Sequence, residues 1–227
     1  MASRSIDTNR LEAAFQILKE EGLFKSGTYV DIGANIGHTS VHFWEIFDKF
    51  ICFEPNPEAF KILEFEFELL KSQQNVQYIL HNTAISNQNN KTVLSVPDGN
   101  LGWGSMDNRR RKQFKDAPFY VDLVEYEIEA KTLDSFDLKN VAFIKVDTEQ
   151  HEDKVCEGML KTLEKNDYPP VFLENKRNEA SKGIELLMTL GYSRIRVKKF
   201  KSDKHNILLA KTWEINNIMP TYTFMNT

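Results

Sequence analysis

Three short apolar runs, TYVDIG at 28–33, FICFE at 50–54 and VQYIL at 76–80, alternate with two stretches of helix length. This rhythm is the strongest constraint on the chain. Strands that are apolar on both faces must be covered on both faces, and successive parallel strands need a crossover of a dozen or more residues. The pattern predicts βαβ units and a parallel sheet. It resumes with VAFIKVD at 141–147 and PPVFLE at 169–174. YSRIRV and NILLAK, joined by the basic turn KKFKSDKH, read as an antiparallel hairpin at a sheet edge.

Helices are expected from about Arg10 to Glu21, Gly37 to Asp48, Pro57 to Ser72, Glu152 to Lys165 and Glu179 to Leu190. Asn9 and Glu12 have the spacing of a capping box before the first of these. Leu63, Phe67 and Leu70 share one face of the third, which predicts the stripe that meets the sheet. KTVLSV and FYVDLVEYEIEAKTL interrupt the rhythm as two further strands around a long irregular segment. No linker separates these parts. We therefore expect one domain over 1–227, with an N-terminal helix within 1–26, a variable loop over 97–118 and a loosely held tail over 212–227.

The composition narrows the function. The chain has 227 residues, 41% hydrophobic and 27% charged, with a net charge of −4. Such a balance suits a folded domain and argues against a surface built to grip nucleic acid or anionic lipid. Cys52 and Cys156 form neither a disulfide framework nor a zinc-spacing pattern. No stretch approaches the ~20 apolar residues of a spanning helix. The expectation is a soluble, cytoplasmic protein from a reducing compartment, without membrane insertion.

The first turn, Asp31-Ile32-Gly33-Ala34-Asn35-Ile36-Gly37, joins a strand to a helix. Glycines there let a backbone approach a ligand closely, and ligands of open α/β sheets bind beyond the strand carboxyl ends. Glu54 ends the next strand, where a carboxylate can accept both hydroxyls of a ribose. The dinucleotide pattern GxGxxG is absent; the turn reads DxGxNxG. A pyrophosphate has no use for Asp31 beside it, whereas a ligand bearing an ammonium and a carboxylate does. The pattern favours S-adenosylmethionine, with Asp31 toward the ammonium.

DIGANIGHTS, CFEPNPEAF, NTAIS, TLDSF and FIKVDTEQHE, in that order, resemble the FkbM-type S-adenosylmethionine-dependent methyltransferases. The match runs from about Tyr29 to Lys176, and NILLAK is similar to the family's final strand. The resemblance implies a class I methyltransferase (Rossmann-like) fold: a mostly parallel seven-stranded sheet with an antiparallel last strand and helices on both faces. By the same resemblance Asp31, Gly33, Ala34, Asn35, Gly37 and Thr39 would wall the methionine side. Glu54 with Pro55 would hold the ribose, Asn56 would lie near the adenine, and Asn82 and Ala84 would lie at its face.

FIKVDTEQHE delivers Asp147 to the same sheet edge. A carboxylate or imidazole beside the acceptor can take its proton, which makes Asp147, Glu149 and His151 the catalytic candidates; Asp147 would also border the cofactor. Asp147 could instead cap the next helix. The family pattern has glycine where this chain has Gln150, so Gln150 must adopt an unusual backbone angle or the turn differs. Lys145 is expected to snorkel from its strand end. Glu174 ends the next strand, as a substrate contact or as a partner of Lys176 or Arg177. Trp103, between two glycines, can stack on a sugar or ring, or plug the core. Arg109, Arg110 and Arg111 could clamp an anionic acceptor, or form a solvated loop.

These residues predict an O-methyltransferase acting on a hydroxyl of a sugar, glycan or other small metabolite. A nicotinamide-dependent oxidoreductase would want the third glycine. A non-catalytic module of this fold has Gln150 in its favour, but Asp31, Gly33, Glu54 and Asp147 are all intact. A nucleic-acid methyltransferase has only the arginine run in support. No ligand cluster in the sequence demands a metal, and oligomeric state is not encoded legibly.

Overall fold

The computed structural model describes residues 6–106, 122–175, 181–195 and 206–211. The run Arg109–Arg111, the turn at 198–205, Lys176 and Arg177, and the tail at 212–227 lie outside them.

In chain order the elements are α1 (Ile6–Glu20), β1 (Thr28–Ile32), α2 (His38–His42), β2 (Lys49–Phe53), α3 (Pro57–Gln73), β3 (Gln77–His81), β4 (Ala84–Ile85), β5 (Asn90–Pro97), β6 (Leu123–Lys131), a 3-10 turn (Leu133–Phe136), β7 (Val141–Val146), α4 (Glu152–Glu157), α5 (Leu160–Lys165), β8 (Val171–Glu174), α6 (Ser181–Thr189), β9 (Tyr192–Ile195) and β10 (Asn206–Lys211). Seven strands form one sheet in the order β3-β2-β1-β7-β8-β10-β9. β3, β2, β1, β7 and β8 are parallel neighbours, and β10 runs antiparallel to both β8 and β9. The sequence expected this hairpin at the edge, and β9 is the edge strand while β10 sits inside.

Alternation along the strands builds two cores. Tyr29, Phe50, Cys52 and Phe143 face one side, where Phe15 of α1 and Leu63 and Phe67 of α3 cover them. Val30, Ile32, Ile51, Phe53 and Ile144 face the other, under Val155 of α4, Leu163 of α5 and Ile184 and Leu187 of α6. Phe15 packs edge-on against Phe43 and Phe143, an arrangement worth about 0.5–1.5 kcal/mol per pair beyond area burial. Among the described residues no helix is long and apolar enough to cross a membrane.

Three boundaries differ from expectation. α1 is already helical from Ile6, so Asn9 lies within it and is not its cap. The helix expected over 37–48 is only α2, five residues long. Val41, Phe43 and Trp44 are poor helix formers, and burial of both Phe43 and Phe47 against α1 dictates the following turns. The helix expected over 152–165 is split into α4 and α5 at Gly158, whose α-hydrogen faces the carbonyl of Ser86: an added Cβ would come within 1.9 Å of it. The N-terminus of α5 is closed from outside by Asp134, whose Oδ1 accepts from Thr162 N at 2.7 Å and Thr162 Oγ1 at 2.8 Å.

The interruption between β3 and β7 is a second sheet, in the order β4-β6-β5. β5 and β6 pair along their lengths from Asn90↔Ala130 to Pro97↔Leu123.

Candidate active site

The carboxyl ends of β1, β2, β7 and β8 open into a cavity of about 310 Å³, with residues 100–104 forming its far wall. Gly33 and Asn35 after β1, Glu54, Pro55 and Asn56 after β2, Ala84 of β4, Asp147 and Glu149 after β7, Glu174 at the end of β8, and Trp103 all line it. Asp31, Ala34, Gly37, Thr39, Asn82 and His151 are not among the lining residues.

Asp31 is fully buried on the α2 side of the sheet. Its carboxylate accepts from Ser40 Oγ at 2.6 Å, Thr39 Oγ1 at 3.2 Å and Lys145 Nζ at 2.9 Å. The sequence reading turned Asp31 toward a ligand ammonium; the structure turns it inward. Lys145 is likewise no snorkelling side chain. It is 4% exposed, lies directly opposite Asp31 in the β1–β7 register, and also donates to the Gly33 carbonyl at 3.2 Å. Lys145 thus ties the first loop to β7. Its signal was present in the sequence: a lysine inside an apolar strand requires a buried counter-charge.

Gly33 has φ 78°, and a Cβ there would lie 1.8 Å from the carbonyl oxygen of Asp147. The loops after β1 and β7 therefore touch backbone to backbone, which only glycine permits. Ala34 is buried, its amide donating to the Phe53 carbonyl at 3.1 Å. Gly37, left-handed at φ 83°, precedes α2 and lies against Leu63. The Asn35 amide donates to Glu54 Oε2 at 2.8 Å, and the Asn56 amide to Glu54 Oε1 at 2.8 Å. Burial pushes the Glu54 carboxyl up to about 7 against the pull of these bonds. Among the described residues none donates to the buried Asn35 Oδ1.

The Asn56 side chain caps α3, accepting from Glu58 N at 3.0 Å, and donates to the Leu101 carbonyl at 3.2 Å. Asn82 Nδ2 donates to the carbonyls of Glu54 at 2.8 Å and Pro55 at 3.2 Å. It braces the β2 loop from behind, where the sequence reading had it at the ligand face.

After β7, the Asp147 amide donates to the Ile32 carbonyl at 2.9 Å. The Asp147 carboxylate is a quarter exposed, 3.9 Å from Lys145 Nζ. It is not a helix cap: the cap position of α4 belongs to His151. One carboxylate oxygen each from Asp147, Glu149 and Glu174 lie within 4.8 Å of one another, an all-oxygen set of the type hard divalent cations take. His151 Nε2 is instead engaged with Ser86 Oγ at 2.9 Å, away from the cavity. Glu149 and Gln150 are both left-handed, at φ 51° and 79°, so Gln150 adopts the angle its family counterpart glycine would take freely. Trp103 is 53% exposed at the cavity wall and is no core plug.

Residues 31–198 match the family model described as the methyltransferase FkbM domain. The chain belongs to the FkbM methyltransferase family. The FkbM fold is matched by a solved FkbM methyltransferase from Methylobacillus flagellatus KT at 15% identity and a TM-score of 0.56, over 83% of this chain and 44% of that one. This chain thus spans less than half the length of that relative. Ribosomal protein L11 methylase from Lactobacillus delbrueckii subsp. bulgaricus aligns at 9% identity and a TM-score of 0.50, covering 88% and 78% of the two chains. Magnesium protoporphyrin IX methyltransferase from Synechocystis, solved with bound S-adenosylmethionine, aligns at 8% and 0.50, covering 90% and 79%. No curated protein matches in sequence. The family match and these alignments give the chain the FkbM domain and the fold shared by these solved methyltransferases.

Proposed function

We propose that this FkbM domain methylates a hydroxyl group of a sugar, glycan or other small metabolite. The observation that carries the reading is the joining, within one cavity, of a half lined by Gly33, Asn35, Glu54 and Asn56 after β1 and β2 with a carboxylate half, Asp147, Glu149 and Glu174, after β7 and β8. The residues suit S-adenosylmethionine. Glu54 keeps lone pairs for two hydroxyl donors after its two amide bonds, and the orphaned Asn35 Oδ1 offers an acceptor on the same wall. When bound, that cofactor supplies a sulfonium methyl open to in-line attack by an oxygen.

The protein's part is positioning and proton transfer. Trp103 offers a flat face at the cavity wall for a sugar or ring. Asp147 is the group we assign to receive the hydroxyl proton, with Glu149 and Glu174 orienting the acceptor through further hydrogen bonds. His151, held by Ser86, takes no part. The acceptor is expected to be a small molecule or glycan met in the cytoplasm, with no nucleic acid partner and no membrane insertion.

Asp147→Asn tests the reading. Loss of a general base costs typically about 10²–10⁴-fold in rate, while calorimetric affinity for S-adenosylhomocysteine should stay nearly unchanged. Equal turnover in variant and parent, across a panel of hydroxylated acceptors, would remove Asp147 from the chemistry. Titration with NAD in parallel separates the oxidoreductase alternative.

A further inference from the structure

Two consecutive left-handed residues without glycine are a costly way to leave a strand, and Glu149 and Gln150 do so beside the cavity. Their support comes from a residue that does not line it. Glu152, the first residue of α4, is 3% exposed. Its Oε1 accepts from Thr148 N at 2.9 Å, Thr148 Oγ1 at 3.1 Å and Gln150 N at 3.3 Å. Both loop amides that face the turn thus converge on one buried carboxylate oxygen. A charged acceptor strengthens each bond, and burial keeps water from competing for them.

We infer that Glu152 is the positioning residue of the acceptor half: it holds the left-handed Glu149–Gln150 turn and so aims Asp147, Thr148 and Glu149 into the cavity. The inference rests on the reading of that cavity as the methyl-transfer site. It assigns a division of labour within DTEQHE. Asp147 and Glu149 face the acceptor, and Glu152 fixes their backbone from behind. It also accounts for the tolerance of Gln150 at a position where the family pattern has glycine, because the clamp supplies the restraint that glycine's freedom would make unnecessary.

Four variants test it: Glu152→Ala, Glu152→Gln, Gln150→Gly and the double Glu152→Ala/Gln150→Gly. Hydrogen exchange at the amides of Thr148 and Gln150 should accelerate at least tenfold in Glu152→Ala and return toward the parent rate in Glu152→Gln, which keeps a carbonyl oxygen. Turnover should fall at least tenfold in Glu152→Ala, with S-adenosylhomocysteine affinity within threefold of the parent, because Asn35 and Glu54 hang on other strands. Gln150→Gly in the Glu152→Ala background should recover severalfold of that loss. Unchanged exchange in Glu152→Ala overturns the clamp. So does a turnover loss matched by the affinity loss and not relieved by Gln150→Gly. Faster exchange with unchanged turnover, in a protein whose Asp147→Asn variant is also unaffected, overturns instead the reading of the cavity as the transfer site.

Discussion

Lys145→Met removes one member of the Asp31–Lys145 pair and keeps the length of the side chain. The pair is 2.9 Å apart, and at an effective dielectric constant of about 20 its attraction is roughly 6 kcal/mol. Desolvation of the two groups offsets most of that, so the pair itself adds little net stability. Removing only the lysine is different. Asp31 would remain fully buried, held by two hydroxyls and no cation. An uncompensated buried charge costs about 3–5 kcal/mol, a large share of the 5–15 kcal/mol typical of a domain. The cation also anchors the Gly33 carbonyl, so S-adenosylhomocysteine affinity should fall with it. Asp31→Asn in the Lys145→Met background removes the stranded charge and keeps an acceptor for Ser40, and should restore most of the stability. Urea unfolding of parent, both single variants and the double variant measures the cycle. Lys145→Met within 1 kcal/mol of parent, or Asp31→Asn equally costly in both backgrounds, would refute the reasoning.

Two further expectations follow from the first loop. Gly33→Ala should lower stability by about 2 kcal/mol or more and abolish cofactor binding, whereas Gly99→Ala, equally left-handed at φ 72° but with nothing within 4 Å, should cost only the ~1–2 kcal/mol of backbone strain; equal losses in denaturation would dismiss the Gly33–Asp147 contact. Glu54, lifted by burial to about 7, should lose its proton when ribose hydroxyls donate to it, so binding below neutral pH should release protons and affinity should rise from pH 6 to 8. In the free protein the same lift gives stability that is complete below the ordinary glutamate value and lost as pH rises toward 7. Calorimetry in buffers of different ionisation enthalpy reads the release, and a value near zero would detach Glu54 from the ribose.

Much of the sheet was legible because burial on both faces writes itself as VDIG, FICF and FIKV, and the loops after such strands are where a cofactor must sit. Register was not legible, and register decides the electrostatics. Asp31 looks available for a ligand until Lys145 is known to lie opposite it across β1 and β7. His151 looked like a base because it is near Asp147 in sequence, yet one turn of backbone carries it to Ser86. Asn82 was placed at the right corner but with the wrong duty, since side-chain direction at a strand end depends on which carbonyls lie in reach. Glu152 marked only the start of a helix in the sequence, and the φ angles of Glu149 and Gln150 with the hydrogen bonds around them reveal what it restrains.

The β5–β6 ladder ends with Pro97 facing Leu123 on its last rung. The ladder thus brings the two ends of the joining chain side by side, and closing a flexible loop between neighbouring ends costs only about 0.6 kcal/mol more for each doubling of its length. The turns after β1 and β7 have no such latitude, being locked by the Gly33–Asp147 contact. On the function proposed above, this would set a fixed donor cradle beside a segment whose closure tolerates changes of length. Exchanging the chain between Ser105 and Leu123 among relatives, with the Asn56–Leu101 contact kept, is expected to move acceptor preference and leave S-adenosylhomocysteine affinity in place, and a calorimetric titration of the exchanged protein checks it.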